Sequence, residues 1–243
     1  MTETMLRLRR SPRKMLSRDG HPGPGPGRMA LVMSRAGVGK SAFLVGIGLD
    51  SLLAGQRVMH VSRHRTVDKV RERYDEIYSE LVQKNGIDPA DAARIQLEIE
   101  RRRHIYTFLG DTFSVDKIAA GIDLLARHTD FRPDVLIVDR MDVRAIDAAE
   151  FAALRALAEE REIEVWMSAR THRDDPPAAA GHLPPPADQI EHLLDLVLRL
   201  DPRGNQVLLH VLKDGERMLD EDMHVGLDPR SLLLVPMQPS SLA

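Results

Sequence analysis

The sequence SRAGVGKS, residues 34–41, lies between two apolar segments. The segment before it, MALVMS (29–34), predicts a short buried strand, and the segment after it, SAFLVGIGLDSLLA (41–54), predicts a helix that ends at Gly55. The stretch matches the phosphate-binding pattern G-x-x-x-x-G-K-[ST], except that Ser34 stands at the first glycine position. A strand before this pattern and a helix after it are the context it requires, so we expect a nucleotide-binding loop here.

The chemistry of such a loop depends mainly on its backbone. Successive N–H groups in a glycine-rich turn that opens into a helix N-terminus surround phosphate oxygens, and the helix dipole favours their negative charge. Lys40 is expected to reach the β- and γ-phosphates, and the Ser41 hydroxyl to bind Mg²⁺. Ser34 lies at the strand end, where a side chain is tolerated. The residues predicted to bind the nucleotide are Ser34, Arg35, Ala36, Gly37, Val38, Gly39, Lys40, Ser41 and Ala42.

A second apolar run, DVLIVD (134–139), ends in an aspartate. In nucleotide sites of this kind, an aspartate at the end of a buried strand holds the water shell of Mg²⁺. Asp139 is therefore predicted to act with Ser41 at a magnesium ion, and the alternative is a carboxylate that only ends a strand in solvent. ATP and Mg²⁺ are the expected cofactors.

The remaining segments continue the alternation of strands and helices. Apolar runs such as VLIV (135–138) lack a polar–apolar alternation, which is typical of parallel strands covered by helices on both faces. Two late apolar runs flank the turn sequence DPRGN (201–205) and predict an antiparallel hairpin. Further strands are predicted at 57–62, 104–108, 163–168, 196–200 and 206–212, helices at 66–84, 88–102, 114–128, 147–161 and 189–195, and a proline-rich loop at 170–188. The predicted fold class is α/β, with a mainly parallel sheet and a C-terminal antiparallel hairpin.

The composition narrows the classes of protein and of site. With 243 residues and 43% hydrophobic content, the chain is long enough for a packed core. A balance of 34 basic and 37 acidic residues gives no global attraction to nucleic acid or to a membrane surface. The absence of cysteine excludes disulfides, thiolate zinc sites and a cysteine nucleophile. Because no apolar run approaches the roughly 18–20 residues of a membrane span, we expect no membrane association and a cytoplasmic location.

Three regions are predicted along the chain. The first twenty residues hold six Lys or Arg against two acids, and alternating proline and glycine follow them, so 1–27 is predicted to be a basic, Pro/Gly-rich arm. Residues 28–236 are predicted to form the nucleotide-binding domain, and 237–243 a C-terminal tail.

In the order of its motifs, the chain from about Pro24 to Leu233 resembles the RecA-type ATPase core, the group that includes RecA, RadA, KaiC and the DnaB helicase. The glycine-rich loop comes first, the strand ending at Asp139 is fourth, another strand follows, and a hairpin comes late. The proline-glycine lead-in is similar to that of RadA and KaiC. The resemblance implies a three-layer RecA-like P-loop fold that binds ATP and Mg²⁺, assembles into oligomers, and has DNA as a candidate partner.

The chain departs from this family at the place of its catalytic carboxylate. RecA-type enzymes carry a glutamate just after the second strand, which orients and deprotonates the attacking water. Here that place holds Arg63, His64 and Arg65, and Asp139 is followed by Arg140 rather than by a glutamate. His64 is a candidate substitute base, since unperturbed imidazole titrates near neutrality. The alternative is a basic loop with no catalytic role, in which Lys40 is the only catalytic residue predicted.

Two further roles are implied by the resemblance. After the fifth strand, where the family often carries a polar sensor, Arg170 or Thr171 is a candidate for sensing the γ-phosphate. In oligomeric relatives, a basic residue after a late strand reaches the nucleotide of the neighbouring protomer. Lys213 matches that place, with Arg217 as the second candidate, and the alternative is a surface lysine in a hairpin turn.

The function expected from these features is that of an ATP- and Mg²⁺-binding protein, a weak or switch-like ATPase that acts in an oligomer. One alternative is a non-hydrolysing regulatory or assembly protein that depends on nucleotide, and a second is a P-loop small-molecule kinase. Expected partners are ATP and further copies of the chain or a related P-loop subunit, with DNA as a candidate.

Overall fold

The computed structural model describes residues 23–108, 112–204, 206–228 and 233–236. The predicted arm, up to residue 22, and the predicted tail at 237–243 lie outside them. The strands are β1 Met29–Ser34, β2 Val58–Ser62, β3 Arg103–Thr107, β4 Val135–Met141, β5 Glu164–Arg170, β6 Leu196–Arg203, β7 Gln206–Asp214, β8 Arg217–Leu227 and β9 Leu234–Pro236. The α-helices are α1 Lys40–Leu53, α2 Val67–Asn85, α3 Pro89–Arg102, α4 Val115–Thr129 and α5 Ala148–Arg161, and a 3-10 helix covers Ala187–Leu193.

Within the described residues, nine strands form one sheet in the order β3-β2-β4-β5-β1-β6-β7-β8-β9. The strands from β3 to β6 in this order are parallel, and β7, β8 and β9 continue the sheet with antiparallel pairing. The predicted α/β class, mainly parallel sheet and C-terminal antiparallel hairpin are therefore confirmed. Because β5 lies between β1 and β4, the loop after β1 and the end of β4 meet across one intervening strand.

Helices cover both faces of the sheet, as the uninterrupted apolar runs predicted. In β1, Ala30 and Val32 pack into one core with α1, α2 and α3, whereas Met29, Leu31 and Met33 pack into a second core with α4, α5 and the 3-10 helix. Strand side chains alternate between faces, so a strand that is buried throughout has apolar residues at every position. Within the described residues, no helix is both long and apolar enough to cross a membrane.

Polar caps explain where several helices begin. The Thr66 hydroxyl accepts a hydrogen bond from the Lys69 N–H at the start of α2. The carboxylate of Asp88 caps α3 at Ala90, with Pro89 in the first turn, in agreement with the predicted start. Such caps satisfy N–H groups that have no partner inside the helix.

The structure differs from the predicted elements in several places. β6 continues to Arg203, inside the predicted turn at 201–205, and a 3-10 helix at Ala187–Leu193 stands in place of the helix predicted at 189–195. Residues 217–227 form a long strand, β8, for which the sequence analysis predicted no element. The segment 23–27, assigned to the N-terminal arm, packs on the sheet: Pro24 is buried, and the Gly27 N–H donates to the Ile163 carbonyl at 3.2 Å.

Candidate functional site

An open cleft of about 560 Å³ lies where several parallel strands end. Its lining residues come from the segments after β1 and β2 and from the ends of β4 and β5, which is the edge where open α/β sheets bind their ligands. The lining residues are Ala36, Gly37, Gly39, Lys40, Ser41, Ala42, His64, Arg65, Arg73, Asp139, Arg140, Met141, Asp142, Val143, Arg144, Arg170 and His172.

The loop 34–41 turns from β1 into α1 through two glycines with positive φ. The φ angle is 79° at Gly37 and 118° at Gly39, a region that residues with a Cβ rarely adopt. Gly39 also touches β8, since a Cβ added to it would lie 2.4 Å from the Leu227 Cδ2. No side chain caps the first turn of α1, so its N-terminal N–H groups have no side-chain acceptor.

The structure brings most of the predicted nucleotide-binding residues to the cleft. Ala36, Gly37, Gly39, Lys40, Ser41 and Ala42 line it. Ser34 and Arg35 line a second cavity of about 190 Å³, together with Thr171. Val38 packs against the apolar core that includes α1.

The Lys40 ammonium group is folded back onto the end of β1. Its Nζ donates to the Ser34 carbonyl at 2.8 Å, to the Ser34 Oγ at 3.0 Å and to the Arg35 carbonyl at 2.9 Å. Burial, with smaller contributions from the cations of Arg170 and Arg140, lowers the pKa of Lys40 to about 8, while the Asp139 carboxylate opposes the shift. An anion in the cleft would favour the charged form of this lysine.

Asp139 links three elements at the floor of the cleft. It is 2% exposed, and its Oδ2 accepts a hydrogen bond from the Ser41 Oγ at 2.7 Å. Its Oδ1 accepts one from the Ser168 Oγ at 2.6 Å. Ser168 lies in β5, the strand between β1 and β4, so its hydroxyl fixes the carboxylate towards α1. Ser168 cannot be recognised from the sequence, because only the sheet order puts it next to Asp139.

Arginine side chains dominate the rest of the cleft wall: Arg65, Arg73, Arg140, Arg144 and Arg170 all line it. Four of them, Arg65, Arg140, Arg144 and Arg170, lie at strand ends or within three residues of one, so their places in the sequence indicated this edge of the sheet. Arg73 lies on α2, and no local pattern indicated it.

Residues 63–65 occupy the place where the RecA-type family carries its catalytic glutamate. Some of their side chains line the cleft, and another is buried in the core. His64 is exposed and lines the cleft with Arg65. Arg63 is buried, with its guanidinium 5.1 Å from the centre of the Phe113 ring. A carboxylate that the sequence analysis missed, Asp142, is exposed and lines the same cleft. Its position three residues after Asp139, beyond the strand end, was the available signal.

The two residues proposed to act on a neighbouring protomer lie away from this cleft. Lys213 is buried, and its Nζ donates to the Glu191 carbonyl at 2.7 Å. Arg217 is exposed and pairs with Asp214 at 3.5 Å. In the sheet, Asp214 lies beside Leu196, which lies beside Ala30 at the start of β1. Both residues are therefore at the edge opposite to the carboxyl ends of the parallel strands.

Comparison with known proteins gives no relative from which to assign the site: no family model and no curated protein matches the sequence. Among the described residues, no three His, Cys, Asp or Glu side chains are grouped so that they could hold a metal ion by themselves. The functional conclusion therefore depends on the chemistry of the cleft.

Proposed function

We propose that the chain is an ATP- and Mg²⁺-binding protein of the RecA-like P-loop type, and a weak or switch-like ATPase. One observation carries the proposal: the Ser41 hydroxyl and the Asp139 carboxylate, 98 positions apart in sequence, hydrogen-bond at 2.7 Å beside Lys40 in an open cleft. Two separate motifs, each typical of a magnesium–phosphate site, thus meet at one point.

The residues of the cleft suit a triphosphate. The turn at Gly37 and Gly39 exposes backbone N–H groups at the start of α1, where the helix dipole also favours an anion. Lys40 needs only to leave its acceptors on Ser34 and Arg35 to contact a phosphate. Ser41 and Asp139 supply the oxygen ligands that Mg²⁺ prefers, and a site with so few protein ligands is usual when phosphates and water complete the coordination. Bound Mg²⁺ would neutralise charge on the phosphates.

The order of the strands along the chain supports the RecA-like part of the proposal. The strand before the loop, the strand that contains Asp139, a further strand and a late hairpin follow one another as the resemblance implies. Copies of the same chain or a related P-loop subunit are proposed partners on this resemblance, and so is DNA.

Slow turnover is proposed because the cleft lacks a well-placed base. Of the two carboxylates that line it among the described residues, Asp139 has both oxygens occupied by serine hydroxyls, and Asp142 is exposed to solvent. General-base assistance is worth roughly 10²- to 10⁴-fold in rate, which a poorly oriented group does not supply. A binder that never hydrolyses ATP, and acts as a nucleotide-dependent regulatory or assembly protein, is the alternative favoured by the same observation.

Equilibrium binding tests the first step. A fluorescent ATP analogue is titrated with Mg²⁺ into wild type, into Lys40→Ala, and into Arg132→Ala as a matched control, since Arg132 is exposed and precedes β4 at the far edge of the sheet. Removing a charged hydrogen-bond donor is expected to weaken binding by about 10- to 150-fold, whereas the control stays at the wild-type affinity. Equal affinity of wild type and Lys40→Ala would refute the assignment of the loop.

Steady-state phosphate release separates the two functions. We expect slow release from wild type and none from Lys40→Ala, and we compare His64→Ala with Asp142→Asn to identify the base. Binding without measurable release from wild type would favour the regulatory alternative, and size-exclusion chromatography with and without ATP then tests nucleotide-dependent assembly. For DNA, the affinity is expected to fall steeply with salt.

A further inference from the structure

The strand β4 is irregular at the point where it reaches the cleft. Its register with β5 shifts between Val138 and Met141, and Arg140 within this irregularity has a φ of 65°. Arginine rarely adopts positive φ, and such strained non-glycine residues are concentrated at functional sites. The Arg140 N–H donates to the Ser168 Oγ at 2.9 Å, which in turn donates to Asp139. The strained backbone is thus tied to the carboxylate of the proposed magnesium site.

Because of this irregularity, the Arg140 side chain lies in the wall of the cleft and does not follow the regular alternation of strand side chains between the two faces of the sheet. β-Bulges commonly redirect a side chain beside an active site. Residues on either side of Arg140 are buried, since Asp139 and Met141 are each 2% exposed, but Arg140 is exposed and lines the cleft. Arg65 after β2 and Arg170 at the end of β5 line the cleft with it.

These three arginines differ from the other two in the cleft. Arg73 pairs with Glu76 at 2.8 Å, and Arg144 pairs with Asp175 at 2.6 Å. Within the described segments, Arg65, Arg140 and Arg170 form no side-chain ion pair or hydrogen bond. With Lys40 they place four cations against the carboxylates of Asp139 and Asp142. Crowded like charges favour binding of an anion, and guanidinium groups match the oxygens of a phosphate with paired N–H donors.

We infer that Arg65, Arg140 and Arg170 bind the terminal phosphate of a nucleoside triphosphate, and that they do so within the same chain. The inference rests on the proposed function and deepens it. The loop 34–41 approaches the cleft from the end of β1, whereas the arginines come from the ends of β2, β4 and β5, and Arg140 directly follows Asp139. A diphosphate would leave these three groups without a partner, so the arginines discriminate ATP from ADP.

This assignment replaces the need for a cation from a neighbouring protomer. Lys213 and Arg217 lie at the opposite edge of the sheet, and Lys213 is engaged with the Glu191 carbonyl. The chain's own arginines already face the cleft. Preference for ATP should therefore not depend on protein concentration, because no second subunit completes the site.

The test compares ATP and ADP affinities by competition against a fluorescent nucleotide. Arg140→Gly removes the guanidinium and also relieves the positive φ, so we expect a melting temperature no lower than that of wild type. Wild type should prefer ATP, and the variant should lose about 10- to 100-fold in ATP affinity with little change for ADP. Arg170→Ala gives a second measurement at the same site, and Arg132→Ala is the matched control.

Each outcome of this comparison either supports or overturns the role inferred for the three arginines. An equal loss for ATP and ADP in Arg140→Gly and Arg170→Ala, or no loss in either variant, overturns the inference while leaving nucleotide binding intact. If the variants keep their ATP preference but lose affinity for a single-stranded oligonucleotide, the arginines serve a nucleic-acid backbone instead. Loss of the preference on dilution would show that a second subunit is required. Failure of wild type to bind either nucleotide refutes the proposed function itself, and this inference with it.

Discussion

Nucleotide affinity is expected to fall as the pH rises from 7 to 9, because Lys40 loses its proton in the free cleft. Burial, together with Arg170 and Arg140, lowers the pKa of this lysine to about 8, against an ordinary value of 10.5. A bound phosphate adds negative charge beside the ammonium group and restores its high pKa. Binding above pH 8 therefore requires uptake of a proton.

The magnitude follows from the fraction of Lys40 that is protonated before binding. With a pKa of about 8, that fraction falls about tenfold between pH 7 and pH 9, so the affinity for ATP falls about tenfold. At pH 8, binding takes up about half a proton per molecule. A lysine with its ordinary pKa would change the affinity by only a few per cent over the same range. The range also lies above the usual titration of imidazole and of phosphate monoesters.

Two measurements check this prediction. Titration with a fluorescent ATP analogue at half-unit pH steps gives the slope, and calorimetry at pH 8 in buffers of different ionisation enthalpy gives the proton uptake. Lys40→Arg is the matched control: its guanidinium stays protonated, so any remaining binding should be independent of pH. A flat wild-type profile with no proton uptake would refute the reasoning, and so would a profile that Lys40→Arg reproduces.

Two further predictions concern stability. Gly39→Ala should lower the free energy of unfolding by about 2–5 kcal/mol, because φ is strained and the new Cβ overlaps the buried Leu227. Urea unfolding should show a smaller loss for Gly37→Ala, where an added Cβ meets no atom within 4 Å, and equal losses would exclude the overlap. Burial lowers the pKa of His60 to about 4, so only the unfolded chain takes up this proton between pH 6.5 and 4. The contribution of His60 to the free energy of unfolding is fully present above pH 6.5 and decreases below that pH, by up to about 1.4 kcal/mol per pH unit. The free energy of unfolding of His60→Gln should therefore decline less steeply as the pH falls. If the unfolding free energies of wild type and His60→Gln declined in parallel with falling pH, groups other than His60 would cause the decline.

The fold class was predictable because its signals are local. Parallel strands such as β4 are buried on both faces, and so residues 135–138 of β4 form an uninterrupted apolar run. The strand β8 could not be predicted from its sequence, because Asp220, Glu221 and Asp222 interrupt its apolar pattern. It pairs with β7 through backbone hydrogen bonds, and these do not depend on side-chain polarity.

The candidate site was predictable only at positions where a particular residue type indicates one particular conformation. Glycine at 37 and 39 indicates positive φ, since few other residues adopt it. Arginine at 140 gave no such indication, because its strained conformation is maintained by Ser168 from another strand. The place of Lys213 was likewise set by register, which pairs it with Val197 and so puts it at the far edge of the sheet. Pairing between strands that are distant in sequence cannot be predicted from the local sequence.

Ser34 shows what the departure from the phosphate-binding pattern does. The sequence predicts that this serine is a tolerated replacement for glycine. Its Oγ accepts a hydrogen bond from the Lys40 Nζ, and the carbonyls of Ser34 and Arg35 accept two more. An ammonium group has three N–H donors, so all of them are satisfied before any ligand binds. Phosphate binding at Lys40 is then an exchange of acceptors rather than a gain of new ones, and the hydroxyl that glycine lacks stabilises the lysine in its unliganded position.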